Sequence, residues 1–399
     1  MRSKRGQNLT SPGLQLYPGG CEGLFLQKKR PIVMGTGLIA LDIVITDRDG
    51  VEPRYWAGGT CGNVLAILAY LGWRAYPVAT LGKDIAAARV LEDLKRFGVS
   101  VRFLRPRATQ HTPVVVERIR IRSDGTPRHR FVWNCPNCGA WLPGYRAVSA
   151  TRVREMVNKI PVAQVFFFDR VSRGALELAR ASSARGSLVV FEPSGIRDEK
   201  LFREALRTSH IVKYSRERLG HLREGSRYPA PMLEIETLAT EGLRYRLRGG
   251  LSPSSKWREM EAYQIDGVRD AAGAGDWCTA GVLHALGRKG LKGLREATEE
   301  RIDEALRLGQ ALAVLACKYE GARGGMYALS KKKMEAAVQR ILGGDLPSCE
   351  TAETREAELT NLLGGICPVC NGEGKMPVGP SSRVPYRVRT ANMRSVLRK

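Results

Sequence analysis

From Val153 onward the chain alternates amphipathic helical stretches with short runs of β-branched, aliphatic and aromatic residues. A helix opening at Val153 is followed by Gln164 to Phe168, a helix over Gly174 to Ala184, Leu188 to Phe191, a helix over Lys200 to Thr208, and His210 to Lys213. Strands that read as near-continuous apolar runs must be buried on both faces, and intervening helices supply both covers. The pattern therefore predicts an α/β architecture, three layers with a mainly parallel central sheet. In such sheets ligands bind beyond the carboxyl ends of the strands. Upstream, Ile32 to Thr36, Leu41 to Thr46 and Tyr76 to Thr80 read as strands, and Thr60 to Leu71 and Ile85 to Phe97 as helices. Two β-rich runs, Thr112 to Arg122 and Arg128 to Trp133, flank a turn at residues 123–126. Helices over Asp276 to Leu286, Asp303 to Tyr319 and Ser330 to Leu342 complete the pattern.

The segment Asp270-Ala-Ala-Gly-Ala-Gly-Asp276 sits immediately before an apolar helical run. Gly273 and Gly275 have no Cβ, so the backbone can turn tightly and approach a ligand. A helix starting at Asp276 would aim its unpaired N–H groups and its positive dipole end at the same place, an arrangement suited to an anion. A carboxylate beside that anion is placed to take a proton from an attacking hydroxyl. The plainer reading is a glycine turn with Asp276 as a helix cap. A second segment, Gly58-Gly59-Thr60-Cys61-Gly62-Asn63, opens another helix at a double glycine. Asn63, one turn in, offers a donor and an acceptor to hydroxyl groups. A strand then leads to Gly82-Lys83-Asp84.

These segments, in this order, resemble the PfkB carbohydrate kinase family, whose fold is ribokinase-like with a small β lid. The resemblance runs from about Ile32 to Ala328, with Gly58, Gly59 and Asn63 matching the first signature and Gly273, Ala274, Gly275 and Asp276 the second. It implies a kinase domain over 31–345, with a lid from about 42–58 and 100–135. An irregular extension at 1–30 and a tail at 346–399 would flank it. It implies transfer of the γ-phosphoryl group of ATP, with Mg2+, to a sugar, nucleoside or related polyol. Asp276 would be the general base and the N–H groups of residues 272–275 the anion hole. Asp42, Gly58, Gly59, Asn63 and Asp84 would bind substrate. Asp42 and Asp84, taken singly, read equally well as turn or cap carboxylates. Lys213, Ser215, Thr237, Gly242, Gly273 and Gly275 would line the nucleotide, and relatives often pair through their lid sheets.

The chain departs from the family pattern at several places. Ser215-Arg216-Glu217-Arg218 stands where Asn-x-x-Glu is common, Ala239 where glycine is usual, and Glu192-Pro193-Ser194 where Asp-Pro-Asn is frequent. Ala271 and Ala272 replace threonines. These departures open a second reading, a catalytically weakened relative acting as a zinc-stabilised binding or regulatory module for nucleic acid or a protein partner.

Two Cys-x-x-Cys pairs, Cys135/Cys138 and Cys367/Cys370, supply the four soft ligands of a tetrahedral zinc site. They lie more than two hundred residues apart, so one site requires the tail to fold back on the lid of its own or a partner chain. Two unconnected thiol pairs are the alternative, and His129 is a further potential ligand. Nine cysteines with no secreted-scaffold spacing favour a reducing, cytoplasmic setting. No apolar run reaches the length of a membrane span, and the first twenty residues lack the apolar core of a secretory signal. The formal charge is +24, with Arg383, Arg387, Arg389, Arg394, Arg398 and Lys399 concentrated after the last acid, Glu373. Such a surface attracts polyanions, but no aromatic-interleaved motif accompanies it, and a solvated arginine-rich face is the simpler reading.

Overall fold

The structure, a computed structural model, describes residues 30–46, 51–123, 127–220, 228–248, 251, 256–345 and 365–370. The N-terminal extension and the basic tail lie outside the described residues. In chain order the elements begin β1 (Ile32–Thr36), β2 (Ala40–Thr46), β3 (Arg54–Gly58), α1 (Thr60–Tyr70), β4 (Arg74–Gly82), α2 (Ile85–Arg96), β5 (Leu104–Arg107), β6 (Val114–Ile121) and β7 (Pro127–Val132). Then come α3 (Ala150–Met156), β8 (Val165–Phe168), α4 (Arg173–Ala184), β9 (Leu188–Phe191), α5 (Glu199–Thr208), β10 (Ile211–Ser215), the one-turn α6 (Arg216–Leu219), β11 (Leu233–Thr237), β12 (Leu243–Leu247) and β13 (Arg258–Met260). The chain closes with α7 (Ala274–Leu286), α8 (Gly290–Arg295), α9 (Glu299–Ala316), α10 (Gly324–Ala328) and α11 (Lys331–Leu342).

Nine strands form the large sheet, in the order β13-β12-β11-β10-β9-β8-β1-β4-β5. It is parallel from β5 to β11, and β12 and β13 are added antiparallel at one edge. The apolar runs explain the layering. Side chains alternate across a strand, so Val33, Val165, Phe167, Leu188 and Val190 join one core with α1, α7, α9 and α11. Their neighbours Met34, Phe166, Phe168, Val189 and Phe191 join a second core with α3, α4 and α5. Each buried Phe contributes about 2–3 kcal/mol of burial, and stacking of Phe168 on Phe191, with centroids 4.6 Å apart, ties two strands together. The three-layer α/β/α expectation holds. A four-stranded sheet, β3-β2-β6-β7, forms the lid, with β6 parallel to β2 and hairpinned to β7. Among the described residues no helix is long and apolar enough to cross a membrane.

Helix starts separate into two kinds. Asp84, Ser149, Ser172, Asp198, Thr298 and Ser330 cap α2, α3, α4, α5, α9 and α11 through side-chain oxygens, each satisfying an otherwise unpaired backbone N–H. Among the described helices longer than two turns, α1 and α7 alone begin without a side-chain cap, at Gly59 and Gly273. In their first turns the Gly62 N–H bonds the Leu38 carbonyl and the Ala274 N–H the Ala271 carbonyl, and the rest are left to whatever lies in front of them.

Candidate active site

The two uncapped helix starts converge. Asn63, in the first turn of α1, donates from Nδ2 to Asp276 Oδ2 at 2.7 Å, joining segments 213 residues apart. Both side chains are buried. The geometry of α7 differs from the sequence reading in one respect. The helix starts at Ala274, two residues before Asp276, because Gly273 takes a left-handed φ of 73° and serves as the cap itself. Asp276 therefore lies inside the first turn and points at Asn63 rather than back along the chain.

The double glycine is required by contact as well as by the turn. A Cβ on Gly58 would fall 1.8 Å from Asp42 Oδ2, and one on Gly59, with φ 79°, would fall 2.5 Å from the Leu38 carbonyl. Asp42 thus lies flat against the backbone at Gly58. Its Oδ1 and the Oδ1 of Asn63 are buried without hydrogen-bond partners. Buried acceptors of this kind ordinarily find a donor, and the two together invite hydroxyl groups. Arg323, 1 % exposed, stands behind this wall, donating to Asp93 at 2.7 Å and to the Ala57 carbonyl.

In front of α7, Lys213 in the middle of β10 donates to Glu192 Oε1 at 2.6 Å, and Thr279 Oγ1 donates to Glu192 Oε2 at 2.5 Å. A Cβ on Gly275 would lie 3.6 Å from Lys213 Nζ, so the buried ammonium flanks the start of α7. Asp169, following β8, accepts from the Leu38 N–H at 2.9 Å and from Arg170 at 2.7 Å. Asp169 was not singled out by sequence, and Glu192 only as the first residue of a departure from the family pattern. Each is a carboxylate directly after an apolar strand, at the carboxyl edge where ligands bind, and that position was the available signal.

Burial dominates the titration of this cluster. It pushes Asp276 up to about 8, reinforced by the Glu192 charge and opposed by the Asn63 hydrogen bond and Lys213. Burial likewise raises Asp42 to about 7 against the pull of Arg323, and Asp169 to about 6 against Arg170. Burial pulls Lys213 down, but the Glu192 charge and hydrogen bond together with Cys278 and Asp276 hold it above its ordinary range.

Other expected residues fall in different places. Both Asp84 oxygens are occupied: Oδ1 caps α2 through the Ala87 N–H and accepts from Thr112 Oγ1, and Oδ2 accepts from the Thr112 N–H. Asp84 thus serves a structural role, one that a carboxylate before a helix fills well. The Ala272 N–H is likewise taken by Asp270 Oδ1 at 2.9 Å, which removes it from the expected anion hole. Asp270 Oδ2 accepts from the Gly321 N–H. Glu117 of β6 hydrogen-bonds the same carboxylate, its own pKa driven well up by burial and then by Asp270. His129 of β7 approaches Asp270 at 3.3 Å, not the cysteines, because strand alternation turns it to the inner side of the lid. On the nucleotide side, Thr237 ends β11, Gly242 has φ 108°, and Ala239 adopts a left-handed φ of 55° where glycine is usual. Ser215 Oγ is buried and unpartnered, while Glu217 and Arg218 are exposed on α6.

The four cysteines do come together. Cys135 and Cys370 sulfurs lie 3.7 Å apart, as do those of Cys138 and Cys367, and all four fall within 4.8 Å of one another. Gly139, after the first pair, has φ 74°, and Asn371, after the second, lies outside the described residues.

No protein family's sequence profile matches the chain, and no curated protein does. Solved structures do match. The Arabidopsis thaliana ribokinase complexed with ribose and ATP is 19 % identical, with 78 % of this chain and 99 % of that one covered at a TM-score of 0.57. The Salmonella enterica aminoimidazole riboside kinase, complexed with aminoimidazole riboside and an ATP analogue, is 22 % identical over 77 % and 99 %, also at 0.57. The Burkholderia thailandensis nucleoside kinase in complex with inosine is 15 % identical over 78 % and 98 %, at 0.57. These likenesses show the fold: the chain has the ribokinase-like fold.

Proposed function

We propose that the protein is an ATP-dependent kinase that phosphorylates a hydroxyl group of a sugar, nucleoside or related polyol. The observation that carries this reading is the buried Asn63–Asp276 pair at the meeting of two uncapped helix starts, with Lys213 alongside. The acceptor hydroxyl would be oriented by the unpartnered oxygens of Asp42 and Asn63. Its oxygen attacks the γ-phosphorus in line, the bond to the β–γ bridging oxygen breaks, and ADP departs. Asp276 takes the hydroxyl proton. The N–H groups of Gly273 and Gly275 and the Lys213 ammonium would receive the migrating charge, a stabilisation that needs little reorganisation. Thr237, Ser215 and Gly242 would line the nucleotide. Mg2+ would enter with ATP and neutralise its phosphates, Glu192 being the carboxylate at that position. The catalytic unit would occupy 31–345. The open edges of the lid, β3 and β7, would be where two copies pair. A zinc ion on the four cysteines would be structural.

The test is ADP formation from Mg–ATP across a panel of ribose, fructose and nucleosides. Asp276→Asn should lower kcat by at least about a hundredfold. Exposure of both Glu217 and Arg218 on α6 favours the second reading, a weakened relative that binds a polyanion. Salt-sensitive nucleic-acid binding with no turnover on any acceptor would replace the kinase reading with that one.

A further inference from the structure

We propose that Cys135, Cys138, Cys367 and Cys370 of one chain bind a single zinc ion, and that this ion clasps the C-terminal segment to the lid and holds the lid strand that carries Asp42. Four thiolates at 2.3 Å from a central ion define a tetrahedron with edges of about 3.8 Å. The two measured sulfur separations are 3.7 Å. A disulfide needs about 2.05 Å, so neither contact is a bond. Each pair also has the backbone form of a metal knuckle. The N–H groups of Asn137 and Cys138 point at the Cys135 sulfur, and those of Val369 and Cys370 at the Cys367 sulfur. Such N–H groups offset the negative charge that thiolate ligands bring to a site. The tail segment is also anchored apart from the sulfurs, since Ile366 is buried in the main core.

The position in the lid gives the clasp its consequence. Cys135 lies three residues past the end of β7, and the chain returns at once: Cys135 N–H bonds the Ala140 carbonyl, Asn134 bridges Trp141, and Leu142 N–H bonds the Trp133 carbonyl. The next residue, Pro143, accepts from the Val114 N–H at the start of β6. Val115 is paired with Asp42 of β2, and the Leu41 N–H bonds the Pro113 carbonyl. A continuous backbone ladder therefore runs from the knuckle to the carboxylate of the cleft. Fixing the knuckle removes the freedom of that end of the lid, and folding free energy is supplied by metal binding.

The test uses the full-length protein and metal analysis. One zinc per chain is expected in the wild type and none in Cys135→Ser/Cys138→Ser or Cys367→Ser/Cys370→Ser. An equal mixture of the two double variants should remain metal-free. Zinc restored by mixing would show a site shared between chains and overturn the clasp, as would iron in its place, since a tetrathiolate site also accepts iron. Hydrogen exchange supplies the second arm, on both the Cys367→Ser/Cys370→Ser variant and chelator-stripped wild type. Residues 113–143 should exchange at least about tenfold faster while α7 and α9 stay protected. Unchanged exchange in 113–143, or loss of protection throughout the molecule, would sink the proposal. None of these readouts needs turnover, so the clasp and the kinase reading fail separately.

Discussion

Gly273 and Gly275 stand two residues apart and serve different ends. Gly273 occupies the left-handed region, and a Cβ there would meet the Ala322 carbonyl oxygen at 2.4 Å. Gly273→Ala combines backbone strain with a backbone clash and should cost about 1–3 kcal/mol of stability. Gly275 has room: its nearest neighbours would be Lys213 Nζ at 3.6 Å and Glu192 Oε1 at 3.8 Å, ordinary contacts. Gly275→Ala should fold within about 0.5 kcal/mol of wild type yet lose about a hundredfold in kcat/KM, because the methyl occupies the space proposed for the phosphoryl group. Urea unfolding and steady-state kinetics on the pair would check this; full activity in Gly275→Ala would move the transfer site elsewhere. The proton balance of Asp276 gives a second expectation. A base must be ionised to act, and burial holds this carboxyl at about 8 in the free protein. The kcat/KM profile should therefore climb with pH up to about 8 and then level. A profile already flat from pH 6 would remove Asp276 from that role.

At the level of elements, the long apolar segments were legible to within a few residues, since burial of an entire strand or helix face leaves a strong pattern. The misreadings have local causes. The start of α7 was displaced because a glycine cap carries no side-chain signal, whereas Asp276 resembles one. The strand β12 went unread because it alternates apolar and charged residues. Leu243, Tyr245 and Leu247 face the core, while Arg244 and Arg246 pair across the ladder with the buried Glu236 and Glu234 of β11. The charge pattern makes sense only once the partner strand is known. One element contact makes a prediction of its own. The helices α7 and α9 cross so closely that a Cβ on Gly281 would lie 2.8 Å from Gly309 Cα, and one on Gly309 would lie 2.7 Å from the Cys278 carbonyl. Alanine at either position should force the helices apart at a cost of about 1–3 kcal/mol. Because α7 carries Asp276, turnover should fall in step. Denaturant midpoints equal to wild type in both variants would show that the crossing is looser than this.

Across the whole molecule, the sequence could name the four cysteines but not their meeting, because the separation between pairs is set by the fold that intervenes and by no local spacing. The same holds for the acid cluster, in which Asp42 comes from β2, Asp169 and Glu192 from the loops after β8 and β9, and Asp276 from α7, and which acquires its character only when they meet. Burial raises Asp42, Asp169 and Asp276 to about 7, 6 and 8. Each is protonated in the folded protein at pH values where the unfolded chain has already ionised. The stability they contribute is complete below about pH 4 and disappears as pH rises through the folded values. Two imidazoles, the half-buried His210 and the buried His284, work in the opposite sense. His210 and His284 are pushed down by burial to about 4 and 3, so the stability they contribute is present above about pH 6.5 and lost on acidification. Between pH 6.5 and 8 the histidines finish losing protons in the unfolded chain, a contribution common to wild type and any Asp276 variant, while the raised carboxyls pull stability down. Asp276 alone should then withdraw about 2 kcal/mol across that window, at about 1.4 kcal/mol per pH unit. Asp276→Asn keeps an acceptor for Asn63 without the ionisable oxygen, so its unfolding free energy should fall less steeply from pH 6.5 to 8 and exceed that of wild type at the upper end. Urea titrations of both proteins at the two pH values decide the matter. Parallel declines would mean that Asp276 ionises as freely as an exposed acid, whereas a flattened slope in an inactive variant would show that the fold gives up stability to keep a buried base at the head of α7.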